Sequence, residues 1–418
     1  MCFVGNRALY CFLFKTINNY AIMIDAKQLV CHQVDTIMVG SFMMVVFFYI
    51  MMGYAGEADL PAHASIAKQM LEENRLFENN FLLYFVANLL TLFSGNVLLI
   101  KYVLVILIGV SNTTKYIIVR DEFARRCSIM QARLASAALL FVFIIPVLYF
   151  LRYFNLFKSA NTMYLGYYVP NVWHNSTILC MMPFAILTFF LSIRQLKEYE
   201  KKRNGLITLF VALGVLVKPS FFFIWGVAYP ICMFVRYRFS KEFFYSLIPV
   251  VIGLLFVLYE YLTIFNSGDA EVVINVLPLF TTVFWSSHWL CLAISLALPM
   301  TFVLLYWEEV YKDLEFWFIL VMLVVALGIS WCCHETGDRI MHGNFGWQVV
   351  PAMWFVYYYV LKTALNSERE KRLIEQKPTS SVKVAFVTKG KVFLCIYLLH
   401  VAVGIFYLGR FLVAKIYY

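Results

Sequence analysis

Runs of about twenty apolar residues, separated by short polar segments, recur along the whole chain. Each run is long enough to cross about 30 Å of hydrocarbon as a helix. Because backbone groups in lipid must be satisfied within the segment, the pattern predicts an all-α, polytopic transmembrane helix bundle of about eleven spans. The predicted spans are 36–54, 96–119, 134–151, 173–192, 205–217, 220–235, 243–262, 288–306, 316–332, 347–363 and 391–412.

The remaining segments divide the chain. Residues 1–35 are only moderately apolar, and we interpret them as an interfacial segment or as sequence upstream of a true start near Met38. Residues 36–363 form the predicted transmembrane core. A mixed-charge segment, 364–390, is predicted to be a cytoplasmic linker to the final transmembrane helix in 391–418.

Composition and charge agree with this organisation. Hydrophobic residues make up 62% of the chain and charged residues 14%, which leaves too little polar surface for a soluble protein of 418 residues. The formal net charge of +10 is interpreted as topology, since cytoplasmic loops collect Lys and Arg, and no nucleic-acid partner is expected.

One apolar stretch, 78–94, allows two topologies. If it crosses the membrane, the basic loops at 120–133 and 193–204 both lie outside. If it lies along the external surface, every basic cluster lies inside, which the positive-inside rule favours. We therefore predict juxtamembrane helices in the first external loop.

This topology gathers ionisable groups on the external side. Of the seven histidines, five lie in or beside predicted external segments, namely His63, His174, His288, His334 and His342. Ionisable groups at the membrane are costly and usually functional, so the one-sided collection predicts a reaction or binding site there.

The segment after the first span is acidic. Glu57 and Asp59 precede Pro61 and His63, and Asp59 shares a face with His63 if a helix begins near Pro61. One interpretation is that Asp59 is an ordinary helix N-cap. The other is that Asp59, accompanied by Glu57 and His63, serves as a general base or metal ligand.

Other residues are candidates for binding a substrate rather than for taking part in the reaction. Lys218 precedes Pro219 and Ser220 at a helix break, where a cation and free amides suit an anion such as phosphate, although Lys218 is alternatively a snorkelling span-end lysine. Asn171, His174 and Asn175 are candidate hydrogen-bond donors to a sugar or phosphate, or simply neighbours of interfacial aromatic residues.

The densest polar segment is 334–347. Arg339 suits a bidentate grip on phosphate, and Glu335, His342 and Asn344 accompany it; a salt-bridged loop is the alternative. His334 and His342 lack zinc-protease spacing. Nucleotide-binding motifs and paired-cysteine metal sites are absent from the sequence, so no cofactor is assigned, and the participation of a divalent metal stays open.

Taken together, residues 36–363 resemble the GT-C superfamily of membrane glycosyltransferases, and Asn171–Asn175 and His334–Trp347 look like segments of related bacterial membrane proteins. Those enzymes share an acidic external loop after the first span and a lysine at a short helix break. The resemblance matches Asp59, then Glu57, to the catalytic acid, and Lys218 to the phosphate-side lysine. The first loop departs from an adjacent acidic pair, since it reads Glu57-Ala58-Asp59 and carries His63 in addition.

The resemblance implies a multi-pass plasma-membrane enzyme with an external active face. It would move a sugar from a polyprenyl-phosphate donor to a glycan, lipid or protein acceptor, with inversion at the anomeric carbon. Two alternatives stay open. One is a glycan or lipid transporter or flippase, which usually shows internal repeats that we do not find here. The other is a polysaccharide polymerase or ligase.

Overall fold

The chain forms a helix bundle in a computed structural model. The structure describes residues 26–55, 58–75, 81–153, 163–164, 166–264, 272–274, 288–336, 344–375 and 383–413. In its first half the helices are α1 Ala26–Met51, α2 Leu60–Glu72, α3 Phe81–Leu90, α4 Val97–Ala124, α5 Ile129–Phe141, α6 Val147–Tyr153, α7 Ser176–Lys197 and α8 Lys201–Val217.

The second half is also mainly helical. Its elements are α9 Ser220–Tyr237, α10 Lys241–Ser246, α11 Ile248–Ile264, β1 Val272–Ile274, α12 His288–Leu305, α13 Trp307–Val310, α14 Leu314–Cys332, β2 Cys333–Glu335, a 3₁₀ turn Asn344–Gly346, α15 Val349–Glu375 and α16 Lys383–Val413. The short strands β1 and β2 pair antiparallel, with Val273 opposite His334, and add a small exception to the all-α prediction.

Among the described residues, seven helices are long and apolar enough to cross a membrane. They are Gln33–Met51, Val97–Ala124, Ser176–Lys197, Ser220–Tyr237, Lys241–Thr263, Leu314–Cys332 and Val392–Val413. The predicted membrane bundle is therefore supported by these seven, and the finer count of about eleven is not.

The helix α15 lies at the centre of the bundle. Every residue from 349 to 362 is buried, so this helix has no side left for lipid. Its Phe355 ring stacks on Phe189 of α7 with centroids 4.2 Å apart, and Trp354 stacks on Tyr358 at 5.9 Å. Being enclosed by other helices, α15 tolerates tyrosines and a lysine that lower its hydropathy.

Two predicted boundaries differ from the structure. Helix α1 already begins at Ala26, so the end of the predicted segment 1–35 is continuous with the first span; residues 1–25 lie outside the described part. Helices α15 and α16 also extend into the predicted linker 364–390 from both sides, which leaves only 376–382 between them.

In the described part of the ambiguous stretch 78–94, residues 81–94, the one helix is the ten-residue α3. Ten helical residues span about 15 Å, about half of a hydrocarbon core, so α3 is too short to cross. It packs beside α2, where the Asn88 side chain donates to the Ala67 carbonyl oxygen at 2.8 Å. Two short helices therefore lie between the first two long helices, in the segment that the favoured topology assigns to the first external loop.

The predicted span 134–151 is not continuous. Helix α5 ends at Phe141, and α6 begins only at Val147, after a non-helical segment that contains Pro146. Proline removes a backbone donor and disfavours helix in the residue before it, which accounts for the interruption. The break leaves buried backbone carbonyl groups that need hydrogen-bond donors.

Distant side chains supply those donors. The Asn171 side-chain nitrogen donates to the carbonyl oxygens of Leu139, at 3.1 Å, and Val142, at 2.9 Å. His400 of α16 donates from Nδ1 to the Phe143 carbonyl oxygen at 2.7 Å. Residues from two other parts of the chain thus satisfy the backbone carbonyl groups at the helix interruption.

Basic residues pair at the end of the bundle where α4 meets α5. Asp35 of α1 accepts from Arg120 and from Arg133, each with a nitrogen–oxygen distance of 3.2 Å. Nearby, Arg194 at the end of α7 pairs with Glu122 at 3.2 Å. The predicted basic loops are therefore held to this end by ion pairs between helices.

Candidate functional site

Lys218 is the centre of a cluster of ionisable residues at the other end of the bundle. Burial lowers the pKa of Lys218, and the charges of Asp59, Glu260 and Glu335 each raise it in part. Burial also lowers the pKa of both His63 and His174, and the charge of Lys218 lowers it further. We call these six residues the Lys218 cluster; they come from five separate parts of the chain.

A helix break places Lys218. Its backbone is extended, its N–H closes α8 on the Gly214 carbonyl oxygen at 2.9 Å, and Pro219 then precedes α9. The first amide of α9 to bond back is that of Phe223, which donates to the Pro219 oxygen at 3.1 Å. Buried Ser220 therefore opens a helix whose first amides have no partner within the helix.

Asp59 stands at the N-cap position of α2, as the simpler interpretation predicts. Its carboxylate nevertheless makes no capping hydrogen bond, and Pro61 occupies the first turn. Asp59 is exposed, and it lies near enough to Lys218 for its negative charge to raise the pKa of the Lys218 ammonium, against the larger opposite effect of burial. An exposed carboxylate near a buried lysine is suited to accept a proton from a hydroxyl group.

His63, one turn further along α2, faces Tyr84 of α3. Its Nδ1 lies 2.5 Å from the Tyr84 hydroxyl oxygen, and the two rings stack with centroids 5.7 Å apart. Burial, and then the Lys218 cation, lower the pKa of His63 to about 4. His63 is therefore neutral at physiological pH.

A set of packed aromatic side chains lies on another side of Lys218. The Lys218 ammonium lies 5.6 Å from the centroid of the Trp347 ring, which is within the range of a cation–π interaction. The buried His174 ring lies 5.4 Å from Trp347 and 5.1 Å from Tyr164. Burial, and then Lys218, lower the pKa of His174 to about 3, so its ring is also neutral.

Glu335 enters the cluster from β2. It is buried, and Asn344 donates to its carboxylate at 2.6 Å across the segment between them. Burial lowers the pKa of Lys218, whereas Asp59, Glu260 and Glu335 raise it, and the balance is about 8. Lys218 therefore carries a positive charge at pH 7 beside several carboxylates.

Asn171 and Asn175, predicted as substrate-binding residues, serve the fold. The Asn171 amide donates to the two carbonyl groups of the α5 break, and its oxygen accepts from the buried Lys115 ammonium at 2.9 Å. Asn175 caps α7, where its oxygen accepts from Ile178 N–H at 3.0 Å. Both residues are buried, so their polar atoms are directed into the protein.

Several other candidates fall outside the described residues, namely Glu57, Arg339 and His342. His288 begins α12, and its side chain is likewise not described. The structure thus brings together Asp59, His63, His174, Lys218 and Glu335, with Ser220 and Asn344 beside them.

The sequence interpretation missed three members of the site. Glu260 lies in an apolar run assigned as a span, yet it is buried and acts on Lys218. As the only charged residue of the predicted span 243–262, it carried a signal, because intramembrane carboxylates are usually functional. Tyr84 and Tyr164 gave no comparable signal, since tyrosines are common at membrane interfaces.

No known protein family and no characterised protein gives a significant match to this chain. Within the described part of the chain, no three His, Cys, Asp or Glu side chains are placed to hold a metal ion. Function is therefore argued from the Lys218 cluster itself.

Chemically, the cluster combines a buried cation with an exposed carboxylate and neutral imidazole groups. The cation, together with the amides that open α9, suits an anionic group such as a phosphate. The Asp59 carboxylate suits proton abstraction from a hydroxyl group. Both functions meet at one end of an apolar helix bundle.

Proposed function

We propose that this chain is a membrane glycosyltransferase of the GT-C type. It transfers a sugar from a polyprenyl-phosphate donor to a glycan, lipid or protein acceptor, at the external face of the plasma membrane. The bundle crosses the membrane about eleven times in this proposal, with the basic end inside. The observation that carries the proposal is the electrostatic interaction between Asp59 and Lys218, which are far apart in sequence.

The reaction follows from the charges of these two residues. The bond between the anomeric carbon and the donor phosphate breaks as the acceptor oxygen attacks from the opposite side. The proton of the acceptor hydroxyl passes to Asp59. The departing polyprenyl phosphate gains negative charge, which Lys218 and the first amides of α9 stabilise. In-line displacement inverts the anomeric centre.

The second candidate, a glycan or lipid transporter, would use the same residues for binding alone. A transporter needs polar residues along a path through both leaflets. The Lys218 cluster instead lies at one end, and at the other end Arg120 is paired with Asp35 and Arg194 with Glu122. This distribution favours the enzyme. A polymerase or ligase would share the same chemistry.

The experiment uses purified protein in detergent with synthetic short-chain polyprenyl-phosphate hexoses, and follows the release of sugar to water or to an added glycan. We expect turnover by the wild type and its loss in Asp59→Asn, because the amide cannot accept the proton. Glu72→Gln is the matched control, since Glu72 lies on the same helix and forms only an exposed pair with Lys68. It should react as the wild type does.

A second pair of variants tests the phosphate side. Lys218→Ala should weaken donor use more than acceptor use. Lys201→Ala removes the lysine at the opposite end of α8, which also lies over an aromatic ring, and should have no effect. Full activity in a folded Asp59→Asn protein, or movement of intact donor across vesicles without sugar release, would reject the enzyme.

A further inference from the structure

The hydrogen bond between His63 and Tyr84 determines which ring nitrogen of His63 carries the proton. A neutral imidazole has one donor and one acceptor nitrogen, and a tyrosine hydroxyl can play either part. At 2.5 Å between Nδ1 and the hydroxyl oxygen, the two groups share one hydrogen. The question is whether the tyrosine or the histidine donates it.

Burial decides between the two arrangements. Tyr84 is buried, and within the described residues His63 is the only hydrogen-bond partner of its hydroxyl group. If Nδ1 donated, the tyrosine proton would be buried without an acceptor, which is costly. The Nε2 lone pair would then be unpaired as well, whereas if the tyrosine donates, its proton is satisfied and only the Nε2–H lacks a partner among the described residues. Burial also raises the pKa of Tyr84, so the hydroxyl keeps that proton.

The other ring nitrogen then becomes available to a ligand. With Nδ1 as acceptor, Nε2 of the neutral ring carries hydrogen. Nε2 is buried and has no hydrogen-bond partner among the described residues. Lys218 lies close enough for its positive charge to lower the pKa of His63 further than burial alone does. A buried N–H beside a cation matches an anionic oxygen, which accepts its hydrogen bond, and in this tautomer Nε2 cannot itself accept a proton from a substrate.

We propose that Tyr84 locks His63 in the Nε2–H tautomer, so that His63 donates a hydrogen bond to an anionic phosphate oxygen that Lys218 also binds. The phosphate is that of the lipid-linked donor, and to that extent this inference rests on the proposed function. Tyr84 is a positioning residue that acts through His63. His63 itself is thereby a binding donor, which leaves Asp59 as the sole base of the pair.

The tautomer can be observed directly. In protein labelled with ¹⁵N-histidine, the His63 signals are identified as those lost in His63→Gln. We expect a protonated Nε2 and an unprotonated Nδ1 at neutral pH. Tyr84→Phe, which removes only the hydroxyl group, should give a mixture of both tautomers. A wild-type ring protonated on Nδ1 would overturn this inference and leave the sugar-transfer proposal intact.

Binding gives a second and independent test, with farnesyl phosphate as the probe and farnesol as the probe that lacks phosphate. The amide nitrogen of glutamine reaches the position of Nε2, whereas that of asparagine reaches only Nδ1. His63→Gln should therefore bind farnesyl phosphate within about threefold of wild type, and His63→Asn about 10- to 100-fold more weakly, as for a lost charge-assisted hydrogen bond. Farnesol binding should not separate the two variants.

Tyr84→Phe should weaken farnesyl phosphate binding by about three- to tenfold, because part of the population presents the wrong nitrogen. Tyr102→Phe is the matched control, since Tyr102 is exposed and its ring stacks on Phe48 away from the cluster. It should bind as wild type. Equal loss in His63→Gln and His63→Asn would refute the donor role. The predicted binding pattern without any sugar transfer would instead reject the enzyme and retain the anion site.

Discussion

Gly404 of α16 lies against the carbonyl oxygen of Phe141, at the last turn of α5. A Cβ atom added at Gly404 would stand 1.6 Å from that oxygen, far inside van der Waals contact. The same approach lets His400, one turn earlier in α16, reach the Phe143 carbonyl oxygen at 2.7 Å. The absence of a side chain at Gly404 therefore lets α16 pack closely enough for His400 to hydrogen-bond to the backbone between α5 and α6.

The first prediction concerns this contact. In Gly404→Ala, α16 must move away from α5 because the obstacle is backbone, and the His400 hydrogen bond lengthens with it. We expect a loss of stability of about 2–4 kcal/mol, visible as a lower thermal unfolding temperature in detergent.

Gly409→Ala is the control for this variant. A Cβ atom at Gly409, on the same helix, would meet nothing within 4 Å. Alanine also has the higher helix propensity, so this variant should be as stable as wild type or slightly more so. Equal unfolding temperatures for Gly404→Ala and wild type would contradict the close packing.

The second prediction separates structure from binding at Asn171. Asn171→Ala leaves the carbonyl groups of Leu139 and Val142 and the Lys115 ammonium without their partner. We expect destabilisation by about 2–5 kcal/mol, because buried polar groups without hydrogen bonds are costly. The protein that remains folded should bind farnesyl phosphate normally.

A comparison variant calibrates this loss. Asn96→Ala removes an exposed helix cap, which accepts from Leu98 N–H at 3.0 Å, and should cost only about 1 kcal/mol. If Asn171→Ala kept full stability and lost phosphate binding, Asn171 would be a substrate residue, as the sequence alone suggested.

The end of the bundle that carries the site could be predicted from the sequence because charge is rare in this chain. Only 14% of residues are charged, and a polar group in an apolar run is confined to a span end or to a functional site. Lys218 stands out on that ground, and Asp59 and His63 stand out in the acidic segment that follows the first span. Their electrostatic interactions with Lys218 agree with the expectation that they share one end.

The break after α5 could not be predicted in the same way. The run 134–151 is apolar throughout except at its ends, and Pro146 alone does not show whether a helix kinks or stops. Its carbonyl groups are satisfied by Asn171 and His400, which are distant in sequence. The direction in which the Asn171 amide points depends on this tertiary contact, so its partners could not be predicted from the sequence.

The last prediction follows from the pKa of Lys218, which is about 8 because burial outweighs the three neighbouring carboxylates. Below that pH the ammonium is charged, and as the pH rises through 8 the positive charge is lost. We therefore expect the affinity for farnesyl phosphate to fall roughly tenfold between pH 8 and pH 9.5. His63 and His174, with pKa values of about 4 and 3, stay neutral over this range.

Lys218→Arg provides the control for this titration. A guanidinium group remains protonated to far higher pH, so its affinity should not fall over the same interval, even if its different shape weakens binding overall. Because the second pKa of a phosphate monoester is about 6, the probe is almost fully ionised from pH 8 upwards and adds no titration of its own over this interval. An identical decline in wild type and Lys218→Arg would show that another group titrates, and would remove Lys218 from the phosphate site.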